Sequence, residues 1–286
     1  MSKVESIKKA GIAGAGAMGA GIAQVFAQAG LEVVLFDISE QQLEKTKAEI
    51  TKNLDVAVSK EKISKGDRDA ALSRITFSAD LNALKADLIV EAIIEKLEAK
   101  QDLFKKLAAI NTSETILATN TSSIPVTRIA KDIPNPERVV GMHFFNPAHL
   151  MKLVEVISGV ETSVEISETL KELSIKIGKT PVMCKDSPGF IVNRVARHYY
   201  VESLKMLEEN VSSKENIDAL MESAGFKMGP FKLMDFVGND INFAVTSSLF
   251  ESFHNEPKFR PSRIQQQKVD AGHLGRKTGK GFYNYN

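Results

Sequence analysis

The chain has 286 residues, of which 43% are hydrophobic and 26% are charged. The 37 Lys and Arg residues nearly balance the 36 Asp and Glu residues, which gives a net charge of +1. This composition excludes a disordered chain, and the small net charge argues against a nucleic-acid binder held mainly by phosphate contacts. A single cysteine, Cys184, excludes an intrachain disulfide and a Cys-rich zinc site, and it favours a reducing compartment.

The sequence also lacks targeting signals. No uninterrupted apolar run approaches the roughly 18 residues that a membrane-spanning helix needs. The first residues contain neither the apolar core of a signal peptide nor an Arg-rich leader. We therefore expect a cytoplasmic protein that contacts neither a membrane nor a nucleic acid.

The first two thirds of the chain alternate short apolar runs with amphipathic stretches. The apolar runs predict strands over Lys8–Ala13, Glu32–Phe36, Asp87–Ala92, Thr115–Thr119, Arg138–His143, Leu153–Ile157 and Thr180–Cys184. The stretches between the early strands predict helices over Met18–Ala29, Glu40–Ser59, Lys96–Ala109 and Thr127–Ile133. Such alternation is typical of βαβ units, so we expect an α/β Rossmann-type domain with a mostly parallel sheet.

After Cys184 the pattern becomes helical, and no convincing strand follows. The segment Asp186-Ser187-Pro188-Gly189 predicts a helix that begins at Pro188, because a polar cap followed by Pro in the first turn is a common helix start. A later helix is predicted over Phe231–Phe253. We therefore expect two domains, a Rossmann-type domain over 1–185 and an all-α C-terminal domain over 186–286.

The strongest local motif is Gly14-Ala15-Gly16-Ala17-Met18-Gly19, between the first strand and the first helix. Gly14 permits the tight turn, Gly16 lets the backbone approach a pyrophosphate, and Gly19 lets helix and strand pack closely. Asp37 ends the second strand, where a carboxylate can accept the ribose hydroxyls and would repel a 2′-phosphate. The motif therefore predicts NAD rather than NADP. The alternative is a simple glycine turn with Asp37 as a helix cap.

Among the five histidines, His143 stands out because it ends an apolar strand. The carboxyl ends of parallel strands are where α/β sheets place ligands, and a histidine there can exchange a proton. Glu155 lies among apolar neighbours in the next predicted strand, and a buried carboxylate needs a partner. An adjacent strand could place it against the imidazole. The alternatives are a histidine satisfied by backbone atoms and a glutamate on the exposed face of an edge strand.

Two polar clusters complete the candidate site. Thr119-Asn120-Thr121-Ser122-Ser123 follows another strand end, on the expected ligand edge, although it could also cap the next helix. Asn193 lies beside Arg194 near the domain boundary, in the second turn of the helix predicted to begin at Pro188. Its alternative is a solvated helix position.

Motifs in order along essentially the whole chain resemble the short-chain L-3-hydroxyacyl-CoA dehydrogenases, a family that includes the 3-hydroxybutyryl-CoA dehydrogenases. They are Gly14–Gly19 followed by Gly21-Ile22-Ala23-Gln24, Asn120–Ser123, His143-Phe-Phe-Asn-Pro147, Leu153–Ile157, Pro188-Gly-Phe-Ile-Val-Asn-Arg194, Met228-Gly-Pro230 and Gly275-Arg-Lys-Thr-Gly-Lys-Gly-Phe-Tyr283. This coverage makes the resemblance far more specific than any one motif.

The resemblance implies roles for individual residues. His143 is similar to the family's catalytic base, paired with Glu155, and Ser122 and Asn193 are similar to residues that orient the substrate oxygen and the base. The positions that would line NAD are Gly14 to Gly19, Asp37, Glu95, Lys100, Ser122, Asn146 and Lys277. The positions that would contact substrate are Ser122, Asn193, Asn53 and Lys60, the last two at the CoA portion. The family needs no metal.

Two histidines depart from the family pattern. His149 stands where an apolar residue such as Pro is expected, and His198 stands where relatives commonly carry Pro after Arg197. Neither position is the expected base. Neutral drift explains both more simply than a new role, although their closeness to the motifs bears on substrate preference.

The implied reaction is reversible NAD-dependent oxidation of an (S)-3-hydroxyacyl-CoA to a 3-oxoacyl-CoA, with a short substrate such as 3-hydroxybutyryl-CoA, as in fatty-acid β-oxidation. The helical domain would bind substrate and form a homodimer or higher homo-oligomer. One alternative is a dehydrogenase of 3-hydroxyadipyl-CoA or of a free 3-hydroxy acid in the same superfamily. Another is a non-catalytic NAD-binding structural protein, against which the intact set of four site residues argues.

Overall fold

The computed structural model describes residues 3–285. The chain divides into two compact units, Met1–Ser187 and Pro188–Asn286. Each unit has its own cluster of buried apolar side chains. Across the described residues, no helix is both long enough and apolar enough to cross a membrane.

An eight-stranded sheet forms the centre of the first unit, with the strand order β3-β2-β1-β4-β5-β6-β7-β8. Neighbouring strands are parallel except β6 and β7, which are antiparallel. The predicted Rossmann-type, mostly parallel sheet is therefore confirmed. The strands are β1 (Lys9–Ala13), β2 (Glu32–Phe36), β3 (Ile75–Ser78), β4 (Leu88–Glu91), β5 (Ile116–Thr119), β6 (Val139–Phe144), β7 (Leu153–Ser158) and β8 (Thr180–Lys185).

Helices connect most of these strands and cover the apolar sheet. They are α1 (Ala17–Gln28), α2 (Glu40–Ser59), α3 (Lys65–Ser73), α4 (Leu97–Ile110), α5 (Val126–Ala130) and α6 (Val164–Lys176). Serine side chains fix several helix starts. Ser39 accepts a hydrogen bond from the Gln42 amide at 3.2 Å, and Ser64 forms a capping box with Asp67. Each such cap stabilises its helix by about 1 kcal/mol.

Sequence reasoning missed α3, β3 and α6 and overestimated α5. Strand β3 is short and lies at the edge of the sheet, with only Ile75 buried, so it lacks the apolar run that marks the inner strands. Helix α3 buries only Ala71. Helix α5 ends at Ala130 rather than at the predicted Ile133, and Asp132 has a φ of 61°, outside the right-handed helical region.

The second unit consists of helices, as predicted. They are α7 (Val192–Glu208), α8 (Lys214–Ser223), α9 (Pro230–Val237), α10 (Asn239–Ser252) and α11 (Arg263–Asp270). Their apolar faces meet around Leu204, Phe231 and Met234. Up to residue 285, the extended structure in this unit is limited to isolated bridges near the end of the chain.

Two helix predictions in this unit were wrong, one in its first residue and one in its continuity. The helix predicted to begin at Pro188 begins at Val192, because Gly189 and Phe190 have φ values of 71° and 50° and cannot continue a right-handed helix. The helix predicted over Phe231–Phe253 is two helices, α9 and α10. They are separated by Gly238, which has a φ of 106°.

Asp235 holds the C-terminal segment onto the helices of the second unit. Its carboxylate accepts hydrogen bonds from the backbone amides of Phe282 and Tyr283 at 2.8 and 2.9 Å and from the Tyr285 hydroxyl at 3.0 Å. A Cβ atom at Gly281 would lie 2.0 Å from Oδ1 of Asp235, so only glycine allows this approach. Asp235 therefore explains two glycines near the end of the chain, since a Cβ at Gly275 would lie 2.2 Å from its carbonyl oxygen.

Candidate active site

The glycine loop joins β1 to α1, and its glycines meet different steric demands. Gly14 has a φ of 104°, and a Cβ there would lie 2.6 Å from the carbonyl oxygen of Ala92. A Cβ at Gly19 would lie 1.8 Å from the carbonyl oxygen of Gly14, whereas a Cβ at Gly16 would meet no atom within 4 Å. The open space at Gly16, at the uncapped N-terminus of α1, fits the pyrophosphate of a dinucleotide.

Asp37 lies directly after β2 and orders the same loop. Its Oδ2 atom accepts a hydrogen bond from the Ala15 amide at 2.9 Å, and Oδ1 accepts one from the Ser39 amide at 3.0 Å. These bonds fix the carboxylate beside the glycine loop. Because each carboxylate oxygen has two lone pairs, acceptor capacity remains for ribose hydroxyls.

A groove of about 580 Å³ opens beside Asp37 and the glycine loop. Its size is within the range of small-molecule sites. The sequence did not identify its apolar walls, among them Ile38 with 87% of its surface exposed and Ile94 with 60% exposed. The sequence signal for this wall is the apolar Ile38 directly after Asp37. The remaining lining side chains are Phe36, Gln42, Leu81, Ala92, Ile93, Ala99, Asp102, Leu103 and Lys106.

His143 and Glu155 face each other across β6 and β7. The antiparallel register pairs these two residues directly, which places their side chains on the same face of the sheet. The His143 Nδ1 atom lies 2.7 Å from Oε2 of Glu155. Only 6% of His143 and 1% of Glu155 are exposed. The strand pairing therefore produces a buried imidazole–carboxylate pair at the end of β6.

The thiol of Cys184 lies on β8, next to the strand of Glu155. Burial, together with the charges of Glu155 and Asp186, raises the pKa of Cys184 to about 12. At neutral pH this thiol is protonated, so it is not a nucleophile in the site.

The loop after β5 carries Ser122 and is tied to the strand of His143. Asn120 Oδ1 accepts a hydrogen bond from the Phe144 amide at 2.8 Å, which joins the ends of β5 and β6. Glu95 Oε1 accepts hydrogen bonds from the Ser122 amide at 3.1 Å and from the Thr121 hydroxyl at 2.5 Å. Thr121 and Ser122 therefore share Glu95 as their acceptor, while Asn120 ties the same loop to β6 at the carboxyl edge of the sheet.

Glu95 is ionised in this network. Burial alone would raise its pKa, but the charge of Lys100 and the Thr121 hydroxyl outweigh that effect and lower the pKa below its usual value. The Lys100 ammonium lies 3.1 Å from Glu95 and 2.5 Å from Glu91. With only 1% of Lys100 exposed, its charge is directed at these carboxylates rather than at solvent.

The remaining predicted residues occupy separate elements. Asn146 is exposed after β6, and Asn53 is half-buried on α2, with Lys60 exposed just beyond the end of that helix. In the second unit, Asn193 lies in the first turn of α7, a correction of the predicted second turn. The Lys277 ammonium lies 2.7 Å from both carboxylate oxygens of Asp240.

Sequence reasoning missed two buried ionisable side chains near the site, Glu91 and Lys179, and burial raises the pKa of Glu91 and lowers that of Lys179. Glu91 ends β4 and is fully buried. Lys179 donates hydrogen bonds to the carbonyl oxygens of Ala148 and Met151 at 2.6 and 2.8 Å, which holds the loop between β6 and β7. For both Glu91 and Lys179, the sequence signal of burial is an ionisable residue inside or beside an apolar run, as it was for Glu155. Among residues 3–285, no group of three or more His, Cys, Asp or Glu residues could hold a metal ion.

Comparison with known proteins finds two matching family models. The NAD-binding domain of 3-hydroxyacyl-CoA dehydrogenase matches residues 9–187, and the C-terminal domain of 3-hydroxyacyl-CoA dehydrogenase matches residues 189–285. The resemblance seen in the sequence motifs is thereby confirmed.

Individual relatives and a solved structure agree with these matches. A 3-hydroxyadipyl-CoA dehydrogenase from Escherichia coli (strain K12) is 48% identical over 282 residues, which are 98% of this chain but 59% of that protein. A 3-hydroxybutyryl-CoA dehydrogenase from Bradyrhizobium diazoefficiens is 43% identical and covers 98% of this chain and 96% of its own length. A crystal structure of (S)-3-hydroxybutyryl-CoA dehydrogenase from Ralstonia eutropha superimposes with a TM-score of 0.94 at 40% identity, covering 98% of this chain and 99% of the other.

Proposed function

The chain belongs to the 3-hydroxyacyl-CoA dehydrogenase family, as an NAD-dependent oxidoreductase, and from this premise we propose how its own residues carry out the reaction. The reaction is the interconversion of an (S)-3-hydroxyacyl-CoA and a 3-oxoacyl-CoA. The observation that carries the proposal is the buried contact of 2.7 Å between His143 and Glu155. NAD, when bound, supplies the hydride acceptor.

In the oxidative direction, His143 removes the proton of the substrate hydroxyl. Its Nδ1–H donates to Glu155, which leaves Nε2 as the acceptor for that proton. The imidazolium that forms is stabilised by the Glu155 carboxylate, because opposite charges attract strongly where water is excluded. In the reverse direction, the same imidazolium returns the proton to the substrate oxygen.

Other residues bind and orient. The Gly14–Gly19 loop and Asp37 would hold the pyrophosphate and the adenosine ribose, with the groove beside Ile38 taking the adenine. Ser122 and Asn193 would orient the substrate oxygen. The family resemblance supports cofactor contacts for Glu95, Asn146 and Lys277 and CoA contacts for Asn53 and Lys60. For Lys100, burial between two carboxylates favours an indirect contribution through Glu95.

The preferred acyl group is proposed to be short, as in 3-hydroxybutyryl-CoA. The support is the 43% identity to the Bradyrhizobium 3-hydroxybutyryl-CoA dehydrogenase, which has nearly the same length as this chain. A role in fatty-acid β-oxidation follows from that substrate class.

A second candidate substrate is 3-hydroxyadipyl-CoA. It is favoured by the 48% identity to the E. coli 3-hydroxyadipyl-CoA dehydrogenase. 3-Hydroxyadipyl-CoA is two carbons longer than 3-hydroxybutyryl-CoA and ends in a carboxylate, so a pocket that accepts it must provide a polar or solvated end.

Three further properties are proposed on the family resemblance and the composition. The Rossmann-type domain, predicted over 1–185, binds NAD, and the helical domain, predicted over 186–286, binds substrate and forms a homodimer or higher homo-oligomer. The location is cytoplasmic, which the single cysteine supports.

Reduction of acetoacetyl-CoA and 3-oxoadipyl-CoA tests the proposal directly. We expect NADH to be consumed with both, with the higher kcat/KM for acetoacetyl-CoA, and NADPH to be a poor substitute because Asp37 repels its 2′-phosphate. A higher kcat/KM for 3-oxoadipyl-CoA would favour the second candidate. No NADH consumption with any 3-oxoacyl-CoA would contradict the proposed reaction.

A further inference from the structure

A buried ion pair lies under the loop that carries Ser122. Glu91 at the end of β4 has no exposed surface, and Lys100 on α4 has 1% exposed. The Lys100 ammonium is 2.5 Å from Glu91 Oε1. Buried ion pairs contribute little to stability, because the loss of hydration offsets most of the attraction. Stability alone is therefore a poor explanation for placing two charges here.

One chain of contacts leads from Glu91 to Ser122 through Lys100. The ammonium that Glu91 holds also lies 3.1 Å from Oε2 of Glu95. The other oxygen of Glu95 accepts hydrogen bonds from the amides of Ser122 and Ser123 at 3.1 and 3.2 Å. The ammonium thus fixes one oxygen of Glu95 while the loop binds the other, so the Lys100 contact contributes to the orientation of Glu95.

A second chain of contacts leads from Glu91 to the same loop through Thr119. The Thr119 hydroxyl donates to Glu91 Oε2 at 2.7 Å and accepts a hydrogen bond from the Thr121 amide at 3.2 Å. Glu91 Oε1 also accepts the Ile93 amide at 2.8 Å, which fixes the carboxylate to its own strand end. Glu91 is thus the point where both routes to the Ser122 loop begin.

We infer that Glu91 is a positioning residue, which holds Ser122 in place through Lys100–Glu95 and through Thr119. The inference rests on the proposed function, since it concerns the orientation of the substrate oxygen by Ser122. Glu91 itself touches no reacting atom. Its carboxylate matters because an uncharged side chain of the same size cannot anchor an ammonium and receive the Thr119 hydroxyl with equal strength.

A double-mutant cycle between Glu91 and Ser122 tests this inference. Turnover of acetoacetyl-CoA with NADH is measured for the wild type, Glu91→Gln, Ser122→Ala and the double variant. We expect Glu91→Gln to lower kcat by about 10-fold, since a small misplacement of a positioning group can cost up to about 10²-fold. With NADH saturating, so that a weakened cofactor contact of Glu95 does not limit the rate, the double variant should be no slower than Ser122→Ala alone, because Glu91 acts through Ser122.

The matched control is Glu168→Gln on α6. Glu168 is exposed and pairs with Lys171 at 2.8 Å. The Glu168→Gln variant therefore loses the same charge as Glu91→Gln and also loses an ion pair, but outside the site. Its kcat should equal that of the wild type. If Glu91→Gln does not fold, Thr119→Val keeps the ion pair and removes the second route, and its loss of kcat should likewise vanish in the Ser122→Ala background.

Separate outcomes would overturn the inference and the proposed function. Wild-type turnover of a folded Glu91→Gln, or losses that multiply in the double variant, would overturn the positioning role alone. If the wild type reduces acetoacetyl-CoA but Ser122→Ala is equally fast, the proposed role of Ser122 fails, and the inference fails with it. An inactive wild type would overturn the proposed reaction.

Discussion

Both units of the molecule bury carboxylates, but they surround them with different partners. In the first unit, Glu155 faces the imidazole of His143, and Glu91 faces the ammonium of Lys100. In the second unit, Asp235 accepts hydrogen bonds from backbone amides and a tyrosine hydroxyl of the C-terminal segment. Asp218 likewise accepts the Phe231 amide at 2.9 Å. In the proposed mechanism, the buried acids that serve the chemistry are those whose partners can change charge or orient a reacting group, whereas Asp235 and Asp218 hold backbone segments.

Among substitutions of the buried carboxylates, we expect the largest loss of turnover at Glu155. Glu155→Gln keeps the size of the side chain but removes the negative charge that stabilises the imidazolium in the proposed mechanism. A hydrogen bond to a charged group contributes about 1.5–3 kcal/mol, so kcat should fall by roughly 10- to 150-fold. The measurement is steady-state turnover with acetoacetyl-CoA and NADH, with thermal unfolding as the control for folding. Full turnover by the folded variant would remove Glu155 from the mechanism.

At Asp235 we expect a substitution to lower stability but not turnover. Asp235→Asn replaces an acceptor of charge-assisted hydrogen bonds with a neutral amide, so the free energy of unfolding of the second unit should fall by about 1.5–3 kcal/mol. Turnover per folded molecule should stay at the wild-type value. Urea titration gives the free energy, and Asp270→Asn, an exposed position on α11, is the matched control. A variant as stable as the wild type would show that the carboxylate is not what holds the C-terminal segment.

The smallest effect concerns Cys184, which reports the charge of Glu155. Because burial and the negative charges nearby raise its pKa to about 12, alkylation at neutral pH should be slow and should accelerate as the pH rises. Glu155→Gln removes one of these charges, so the pKa should fall and alkylation at a fixed pH should be faster. Mass spectrometry of iodoacetamide-treated protein measures the rate. An unchanged rate would mean that Glu155 is not charged in the native protein.

The parts of the fold and site that the sequence predicted are those with local signals. The glycine loop, the strand before His143 and the apolar run around Glu155 each carry their pattern within a few residues. Strand β3 was not predicted because it is short and half-exposed. The helix break at Gly238 was not predicted because the helical pattern of the sequence continues through it.

The rest of the site depends on contacts that are distant in sequence. The family resemblance predicts that Lys100 lines NAD, but its carboxylate partner Glu91 lies on another element, and the pair is seen only once β4 and α4 pack. Asp235 meets Phe282 across the last part of the chain, so its role cannot be read from its neighbours. Hydrogen-bond partners of buried charges were thus the least predictable feature.

In the proposed mechanism, His143 is the base of a reaction whose cofactor binds the glycine loop of the same unit. Single-turnover oxidation of (S)-3-hydroxybutyryl-CoA by NAD-saturated His143→Ala, followed by NADH absorbance, tests it most directly, with NADH affinity measured alongside. We expect a rate about 10²- to 10⁴-fold below the wild type, the usual contribution of a general base, with unchanged NADH affinity. A wild-type single-turnover rate would contradict it.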